Sequence, residues 1–155
     1  MTSILLKVRN VGRAILQAYG PIWVKRHLWN NEFSAGRWTC LEDSRGDCVY
    51  SFIEKYAKKG SILDLGCGSG NTGNEIDETS YQQYTGLDIS DVALESARER
   101  SRKSQRADKN KYIHSDIVTY VTVDRYDVVL LRDSIYYMLL PQIVPVLNRY
   151  ARCLK

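Results

Sequence analysis

Three carboxylates in this chain each stand at the end of a short apolar run: Asp64, Asp88 and Asp116. When such runs form parallel strands, ligands bind beyond their carboxyl ends, so the three acids should share one rim. There, Asp88 is placed to accept hydrogen bonds from ribose hydroxyls, and Asp116 from an exocyclic adenine amine. The pattern predicts a site for a nucleoside whose remaining end is not strongly anionic.

A glycine-rich turn, with Gly66, Gly68 and Gly70 spaced two apart, follows the first apolar run. Glycine permits positive φ and has no Cβ, so we expect its backbone N–H groups to approach a ligand closely. The predicted helix after the turn adds free donors and a partial positive charge. Asp64, next to the turn, would repel a pyrophosphate but suits a cationic or hydroxyl-bearing ligand.

Strands and helices alternate along the chain, which predicts a doubly wound α/β fold. The fourth apolar run, Val128–Leu131, has no alternation and is typical of a strand covered on both faces. Strands are predicted over 62–65, 84–87, 112–113 and 126–131, and helices over 47–58, 71–77, 91–105 and 142–154.

The composition is that of one globular domain, because 155 residues with 44% hydrophobic and 26% charged side chains can bury a core. The net charge of +4 does not by itself indicate nucleic acid, and the basic end of helix 91–105 is interpreted as a solvated helix end. No apolar run approaches the roughly 18 residues of a membrane span. The four cysteines lack metal-ligand spacing, which predicts free thiols, no metal and a cytoplasmic location.

The first 31 residues carry no acid and predict a basic amphipathic helix that ends at Gly20–Pro21. A helix packed on the domain, a frayed terminus, a membrane-surface or partner-binding arm and a mitochondrial presequence all fit this pattern. Aromatic residues follow, and both a pocket lining and simple packing stay open for them. They are Trp23, Trp29, Phe33 and Trp38.

The segment Asp64-Leu-Gly-Cys-Gly-Ser-Gly70, with Asp88 and Asp116 after it, resembles the cofactor motifs of class I S-adenosylmethionine-dependent methyltransferases over residues 45–155. The segment 33–38 resembles the lid of their small-molecule members. The resemblance implies a Rossmann-like, mainly parallel sheet with strand order 3-2-1-4. It also implies two parts, a basic helix and lid (1–44) and an incomplete cofactor-binding domain (45–155).

Roles for individual residues are implied by the same resemblance. Asp64 would hold the amino-acid end of S-adenosylmethionine, and the loop residues Gly66, Cys67, Gly68 and Gly70 would lie under its methionyl part. Asp88 would bind the ribose, with Ile89 against the adenine. Asp116 and Ile117 would complete the adenine pocket, and Arg132, Asp133 and Ser134 would lie between cofactor and acceptor.

The implied reaction is in-line attack of a small-molecule or saccharide-type acceptor on the sulfonium methyl group. Such a transfer can depend largely on proximity, with a general base needed only for a protonated or hydroxyl acceptor. The candidates for that base are Asp133, Tyr136, Tyr137 and His27, whereas His114 is interpreted as structural.

Two alternatives stay open. Gly68, Gly70 and Gly73 also satisfy the GxGxxG pattern with Asp88 about 20 residues on, as in an NAD-binding oxidoreductase. The second is a non-catalytic domain that acts through a partner, because the family sheet has seven strands and strands 5–7 are missing here. We therefore expect a fragment, a truncated product or a chain completed by a partner, with an exposed fourth strand that can pair in a homo-oligomer.

Overall fold

A computed structural model of the chain describes residues 12–39, 44 and 46–155. The first part of the predicted N-terminal helix therefore lies outside the described residues, and residues 12–19 are helical. The elements that follow are α1 (Ile22–Ser34), α2 (Cys48–Ala57), β1 (Ser61–Leu65), α3 (Asn71–Glu75), β2 (Gln83–Asp88), α4 (Asp91–Lys103), β3 (Asn110–His114), β4 (Val128–Leu130), a 3₁₀ turn (Ile135–Tyr137) and α5 (Leu140–Ala151).

The described strands form one parallel sheet in the order β3-β2-β1-β4, which confirms the predicted fold and strand order. Asp64 is paired with Gly86 on one side and Leu130 on the other, and Asp88 is paired with His114. This register brings the carboxyl ends of the strands to one edge of the sheet. The acids at 64, 88 and 116 are positioned there by the sheet itself.

Several element bounds differ from the prediction. Helix α1 covers most of the aromatic-rich segment, which we did not predict to be helical because its apolar residues show no clear helical stripe. Helix α5 begins earlier than predicted, with Pro141 in its first turn, where a missing N–H costs nothing. It also ends earlier, at Ala151.

The fourth strand is shorter than predicted because Tyr126 has another partner. Its N–H donates to the Cys153 carbonyl at 2.7 Å, and the Lys155 N–H donates back to the Tyr126 carbonyl at 3.0 Å. Tyr126 thus forms a parallel bridge with Leu154. The bridge lies two residues before β4, whose own partner in the sheet is β1.

Strand β1 is buried on both faces, which explains its unbroken apolar run. Ile62 packs on one face with Ile53 of α2 and Leu94 of α4. Leu63 and Leu65 pack on the other face in a cluster that includes Tyr150 of α5. The sheet therefore has helices on both sides, and β1 lies at its centre.

Helix α3 lies close to the sheet because Gly73 has no side chain. A Cβ at Gly73 would lie 2.7 Å from the ring of Tyr84 on β2. This contact fixes the distance between the glycine turn and the second strand, and it leaves the Tyr84 ring little freedom to move.

We predict that Gly73→Ala destabilises the fold by about 1–3 kcal/mol, the usual cost of an added methyl group in a packed core. The measurement is the free energy of unfolding in guanidinium chloride. Gly12→Ala is the matched control, because a Cβ at Gly12 meets nothing within 4 Å in helix 12–19 and alanine favours helix. Equal stability of the Gly73→Ala variant and the parent chain would contradict the packing described here.

Candidate functional site

A cavity of about 180 Å³, partly open to solvent, lies beyond the carboxyl ends of the strands. Most residues predicted to bind the cofactor line it: Asp64, Gly66, Cys67, Gly68, Asp88, Ile89, Asp116, Ile117 and Arg132. Gly70 is not among the lining residues. Of the candidate bases, Asp133 and Tyr137 line the cavity, whereas His27 and Tyr136 do not.

Asp64 lines this cavity and has one buried carboxylate oxygen without a partner among the described residues. The residue is only 2% exposed, and its Oδ2 accepts a hydrogen bond from the Tyr84 hydroxyl at 2.6 Å. Its Oδ1 has no hydrogen-bond partner among the described residues. Burial raises the pKa of Asp64 to about 6, an effect that the Tyr84 and Thr72 hydroxyls and Arg132 partly oppose.

The Tyr84 hydroxyl reaches Asp64 because of the sheet register. Tyr84 is paired with Ile62 and Asp64 with Gly86, so Tyr84 is the diagonal neighbour of Asp64 on the same face. Gly86, directly opposite Asp64, leaves room for Cys67 and Tyr112, which a Cβ there would meet at 2.8 and 3.0 Å. The sequence analysis did not single out Tyr84 as a site residue. The signal available for it was its position two residues before Gly86 in the second strand.

Asp88 holds the glycine loop in shape. Its Oδ2 accepts from the Gly68 N–H at 2.9 Å and its Oδ1 from the Ser90 N–H at 2.8 Å. Burial raises the pKa of Asp88, while these backbone bonds and the nearby His114 oppose the rise. Each carboxylate oxygen keeps a second lone pair, so Asp88 can still accept from a ligand hydroxyl.

The backbone N–H groups of the loop are largely used within the protein. The Gly66 and Cys67 N–H groups donate to the Leu87 carbonyl at 2.7 and 3.0 Å, and the Gly70 N–H donates to the Cys67 carbonyl at 2.9 Å. With Gly68 N–H on Asp88, four donors that we expected to face a ligand have internal partners. The loop is therefore not arranged as an anion cradle.

The glycines of the loop instead allow close packing. Gly66 has φ 87°, and a Cβ there would lie 2.5 Å from the Ser134 Cβ. Gly68 has φ 53°, and Phe33 of α1 lies 3.5 Å from where its Cβ would stand. At Gly66 only glycine combines a positive φ with a neighbour this close, whereas at Gly68 the positive φ favours glycine and Phe33 lies at ordinary contact distance.

Asp116 and Ile117 lie at the cavity edge after β3. Asp116 Oδ1 accepts from the Val118 N–H at 2.7 Å, which caps the following turn. The Tyr150 hydroxyl of α5 donates to the Ile117 carbonyl at 2.8 Å. These contacts hold both residues next to the loop, where the sequence placed them.

Arg132 is fixed by helix α2. Its guanidinium donates to Asp47 Oδ2 at 2.7 Å and to the Tyr50 hydroxyl at 3.0 Å. The pKa of Arg132 is raised by these partners despite its partial burial. Asp47 in turn accepts from the Val49 N–H at the start of α2, and this bond, with Arg132, lowers the pKa of Asp47.

The candidate bases are placed unequally. Asp133 has φ 54°, a left-handed conformation that aspartate tolerates better than most residues, and it lines the cavity. Tyr136 is exposed and donates to Asp133 at 3.4 Å, and burial and the Asp133 charge raise its pKa. His27 is exposed on α1 and pairs with Asn31 at 3.1 Å, away from the cavity.

Aromatic side chains also line the cavity. We name Trp29, Phe33, Trp38 and Tyr137 the aromatic wall; all four line the cavity, whereas Trp23 is 72% exposed and does not. Of the four aromatic residues for which a pocket lining or simple packing was open, Trp29, Phe33 and Trp38 line the cavity and Trp23 does not. The lining also includes Gln17, Thr72 and Gln142, for which the sequence held no signal that we recognised.

The charged residues of the lining are mostly acidic. Asp64, Asp88, Asp116 and Asp133 outnumber Lys25 and Arg132. No group of three metal-ligating side chains is found among the described residues. No helix in the described part of the chain is long and apolar enough to cross a membrane. The excess of carboxylates favours a ligand that carries positive charge.

Comparison with known proteins gives one family and many related folds. A family model described as "Methyltransferase domain" matches residues 62–155. The mRNA cap guanine-N(7) methyltransferase of Saccharomyces cerevisiae is 35% identical over 60 residues, which are 38% of this chain and 14% of that protein.

The fold is shared with solved methyltransferase structures. One, from Thiobacillus denitrificans in complex with S-adenosyl-L-homocysteine, has a TM-score of 0.56 and 21% identity over 70% of this chain and 45% of that one. The N-methyltransferase NodS of Bradyrhizobium japonicum, also with S-adenosyl-L-homocysteine, has a TM-score of 0.59 and 15% identity over 73% and 59%. The present chain spans about half the length of these structures.

We predict that Tyr84→Phe raises the pKa of Asp64 above its value of about 6, because the ionised carboxylate loses its hydroxyl donor. An NMR titration of the Asp64 carboxyl carbon measures this. Tyr81→Phe is the control, since the Tyr81 hydroxyl donates to the Gly73 carbonyl and Asn110 and not to Asp64. An unchanged Asp64 midpoint in Tyr84→Phe would show that the hydroxyl does not stabilise the carboxylate.

Proposed function

The chain belongs to the methyltransferase domain family, of the class I S-adenosylmethionine-dependent type, and from this premise we propose that it binds S-adenosylmethionine and methylates a small-molecule or saccharide-type acceptor. When bound, the cofactor supplies an electrophilic methyl group. The chain's own contribution is to hold the cofactor and acceptor together, exclude water and keep the site negatively charged.

The observation that carries this proposal is the free Oδ1 of Asp64. A buried carboxylate oxygen without a donor is costly unless a ligand supplies one. An ammonium group supplies both a donor and a compensating charge. The amino-acid end of S-adenosylmethionine carries such a group, so the residue fits this cofactor.

The same chemistry argues against the NAD-binding alternative. A pyrophosphate needs free N–H donors, and the N–H groups of Gly66, Cys67, Gly68 and Gly70 have partners within the protein. A pyrophosphate would also lie close to Asp64, and the two negative charges would repel each other.

The nucleoside end of the cofactor is assigned to the other acids. Asp88 keeps lone pairs for the ribose hydroxyls, with Ile89 against the adenine. Asp116 and Ile117 complete the adenine pocket at the end of β3. Asp88 also shapes the loop through Gly68, so one residue sets both the loop and the ribose contact.

The acceptor is assigned to the region of Arg132, Asp133 and Ser134, which line the cavity after β4. Asp133 is the candidate base that lies in the cavity and carries a carboxylate; His27 and Tyr136 do not line it. An acceptor with a free lone pair needs no base at all. The absence of nucleic-acid partners, a cytoplasmic location and pairing through β4 remain predictions.

Calorimetric titration with S-adenosylhomocysteine tests the proposal. We expect binding by the parent chain and a large loss, about 100-fold, in Asp88→Ala, which removes a charged hydrogen-bond acceptor. Asp108→Ala is the control, because Asp108 is an exposed acid outside the cavity.

Three results would contradict these assignments. Undetectable binding of S-adenosylhomocysteine by folded protein would favour the non-catalytic alternative. Binding of NAD in its place would favour the oxidoreductase alternative. An Asp88→Ala variant with parental affinity would refute the placement of the ribose.

The affinity for S-adenosylhomocysteine should also fall as the pH is lowered through about 6. Below its pKa, Asp64 gains a proton and no longer attracts the ammonium, while the ligand's amine stays charged. Calorimetry across this pH range measures the effect. In Asp64→Asn, affinity should be low and flat with pH; a parental pH profile in that variant would assign the titration to another group.

A further inference from the structure

The helix over residues 12–19 turns its apolar side chains away from the protein. Ile15, Leu16 and Tyr19 are 53%, 47% and 72% exposed. At about 100° per residue, they lie within about one third of the helix circumference. One side of this helix is therefore apolar and faces outward.

The opposite side of the same helix is polar and contacts the protein. Arg13 forms an ion pair with the buried Glu32 of α1 at 2.6 Å, and Gln17 lines the cavity. A surface helix normally does the reverse, with its apolar side on the core. Packing within the described part of the chain therefore does not explain the outward apolar side. The two polar contacts also hold the helix on the domain, which a cleaved presequence would not need.

Two more exposed apolar side chains follow at the start of α1. Ile22 and Trp23 are 50% and 72% exposed, whereas Trp29 and Trp38 belong to the aromatic wall inside the cavity. Single exposed apolar residues are normal on a protein, but five large ones within nine residues of sequence indicate a binding surface. We name these five side chains the N-terminal apolar surface: Ile15, Leu16, Tyr19, Ile22 and Trp23.

The charge of this segment favours an anionic partner. Residues 1–31 contain five cations and no acid. Two of the cations are balanced from elsewhere in the fold, since Arg13 pairs with Glu32 and Arg26 pairs with Asp91. The segment therefore keeps a net positive charge next to its exposed apolar side chains.

A lipid surface fits this combination better than a second copy of the chain does. Helices that lie at a membrane interface carry apolar side chains on one side with Lys and Arg around them, and tryptophan and tyrosine are enriched at the level of the headgroups. Tyr19 and Trp23, the most exposed members of the surface, are of these two types. A second copy packed through the same surface would bring cations against cations, because residues 1–31 offer no carboxylate to pair with them.

We propose that the N-terminal apolar surface docks the chain on an anionic lipid bilayer, with Tyr19 and Trp23 at the level of the headgroups. The docked helix lies along the membrane surface and does not cross it. Because Gln17 on its opposite side lines the cavity, docking places the cavity close to the lipid. The proposal rests on this surface alone and does not depend on the proposed function.

Vesicle flotation with the full chain tests the proposal. The probes are vesicles of phosphatidylcholine alone and vesicles of phosphatidylcholine mixed equally with phosphatidylserine. We expect the partition coefficient to be at least about tenfold higher for the mixed vesicles than for the neutral ones. This preference should disappear at high salt, which screens the charges.

Two double variants identify the surface that binds. Tyr19→Ser combined with Trp23→Ser should lower the partition coefficient at least about tenfold. The free energy of unfolding and the affinity for S-adenosylhomocysteine should stay parental, because both side chains are exposed and lie outside the cavity. Val121→Ser combined with Val123→Ser is the matched control. It removes two side chains that are 70% and 94% exposed elsewhere in the fold, and it should keep parental vesicle binding.

Fluorescence quenching by lipids that are brominated on their acyl chains locates the contact. Trp23 should be quenched in mixed vesicles, whereas Trp29 and Trp38 lie in the cavity and should not be. Trp23→Phe should therefore keep most of the vesicle binding and lose most of the quenching. Quenching that persists in this variant would place the membrane contact elsewhere and overturn the proposal.

Other results would overturn the proposal as well. They are no vesicle binding by folded protein, equal binding to neutral and mixed vesicles, and parental binding by the variant with Tyr19→Ser and Trp23→Ser. A dimer of the parent chain that sedimentation detects without lipid, and that this variant loses, would assign the surface to a second copy. Failure to bind S-adenosylhomocysteine would contradict the proposed function and leave the docking proposal intact.

Discussion

The hydrogen bond between Tyr84 and Asp64 is the interaction on which the site depends. It joins the two central strands at 2.6 Å, and it occupies one carboxylate oxygen while the other is buried without a partner among the described residues. Gly73 packs against the ring of Tyr84 and so limits where its hydroxyl can lie. Packing of the sheet and helix α3 thus orients a buried charge. A buried carboxylate with an unpaired oxygen favours cationic ligands over anionic ones. A cation that donates a hydrogen bond removes the free-energy cost of the unpaired oxygen, whereas an anion increases it.

The glycine loop has a different role from the one its composition first indicates. Glycines after a strand are typical of phosphate sites, where free N–H groups meet the ligand. Here Leu87, Asp88 and Cys67 accept those N–H groups, and the glycines serve to bring Ser134 and Phe33 close to the loop. The loop therefore supplies shape, and the carboxylates around it supply recognition. This division agrees with a ligand whose charge is positive near Asp64.

Much of this could be predicted from the sequence. The common rim of Asp64, Asp88 and Asp116 follows from apolar runs and from the rule that parallel strands end together, and the strand order was implied by the family resemblance. The partner of Asp64 could not be predicted, because it depends on a register that pairs Tyr84 with Ile62. Helix α1 escaped prediction because its apolar residues are spread around the helix, and the position of His27 outside the cavity follows from that helix. The internal partners of the loop N–H groups likewise depend on backbone geometry that residue types do not encode.

The central claim is that Asp64 recognises the amino-acid end of the ligand. A calorimetric cycle tests it directly by titrating S-adenosylhomocysteine and methylthioadenosine, which lacks that end, into the parent chain and Asp64→Asn. The account predicts that the parent prefers S-adenosylhomocysteine and that the substitution removes most of this preference, with a coupling of about 1.5–3 kcal/mol for a charge-assisted hydrogen bond. It also predicts that methylthioadenosine binds both proteins alike. If Asp64→Asn weakened the affinity for both ligands equally, there would be no coupling. That result would show that Asp64 supports the fold of the site and does not bind the ammonium group.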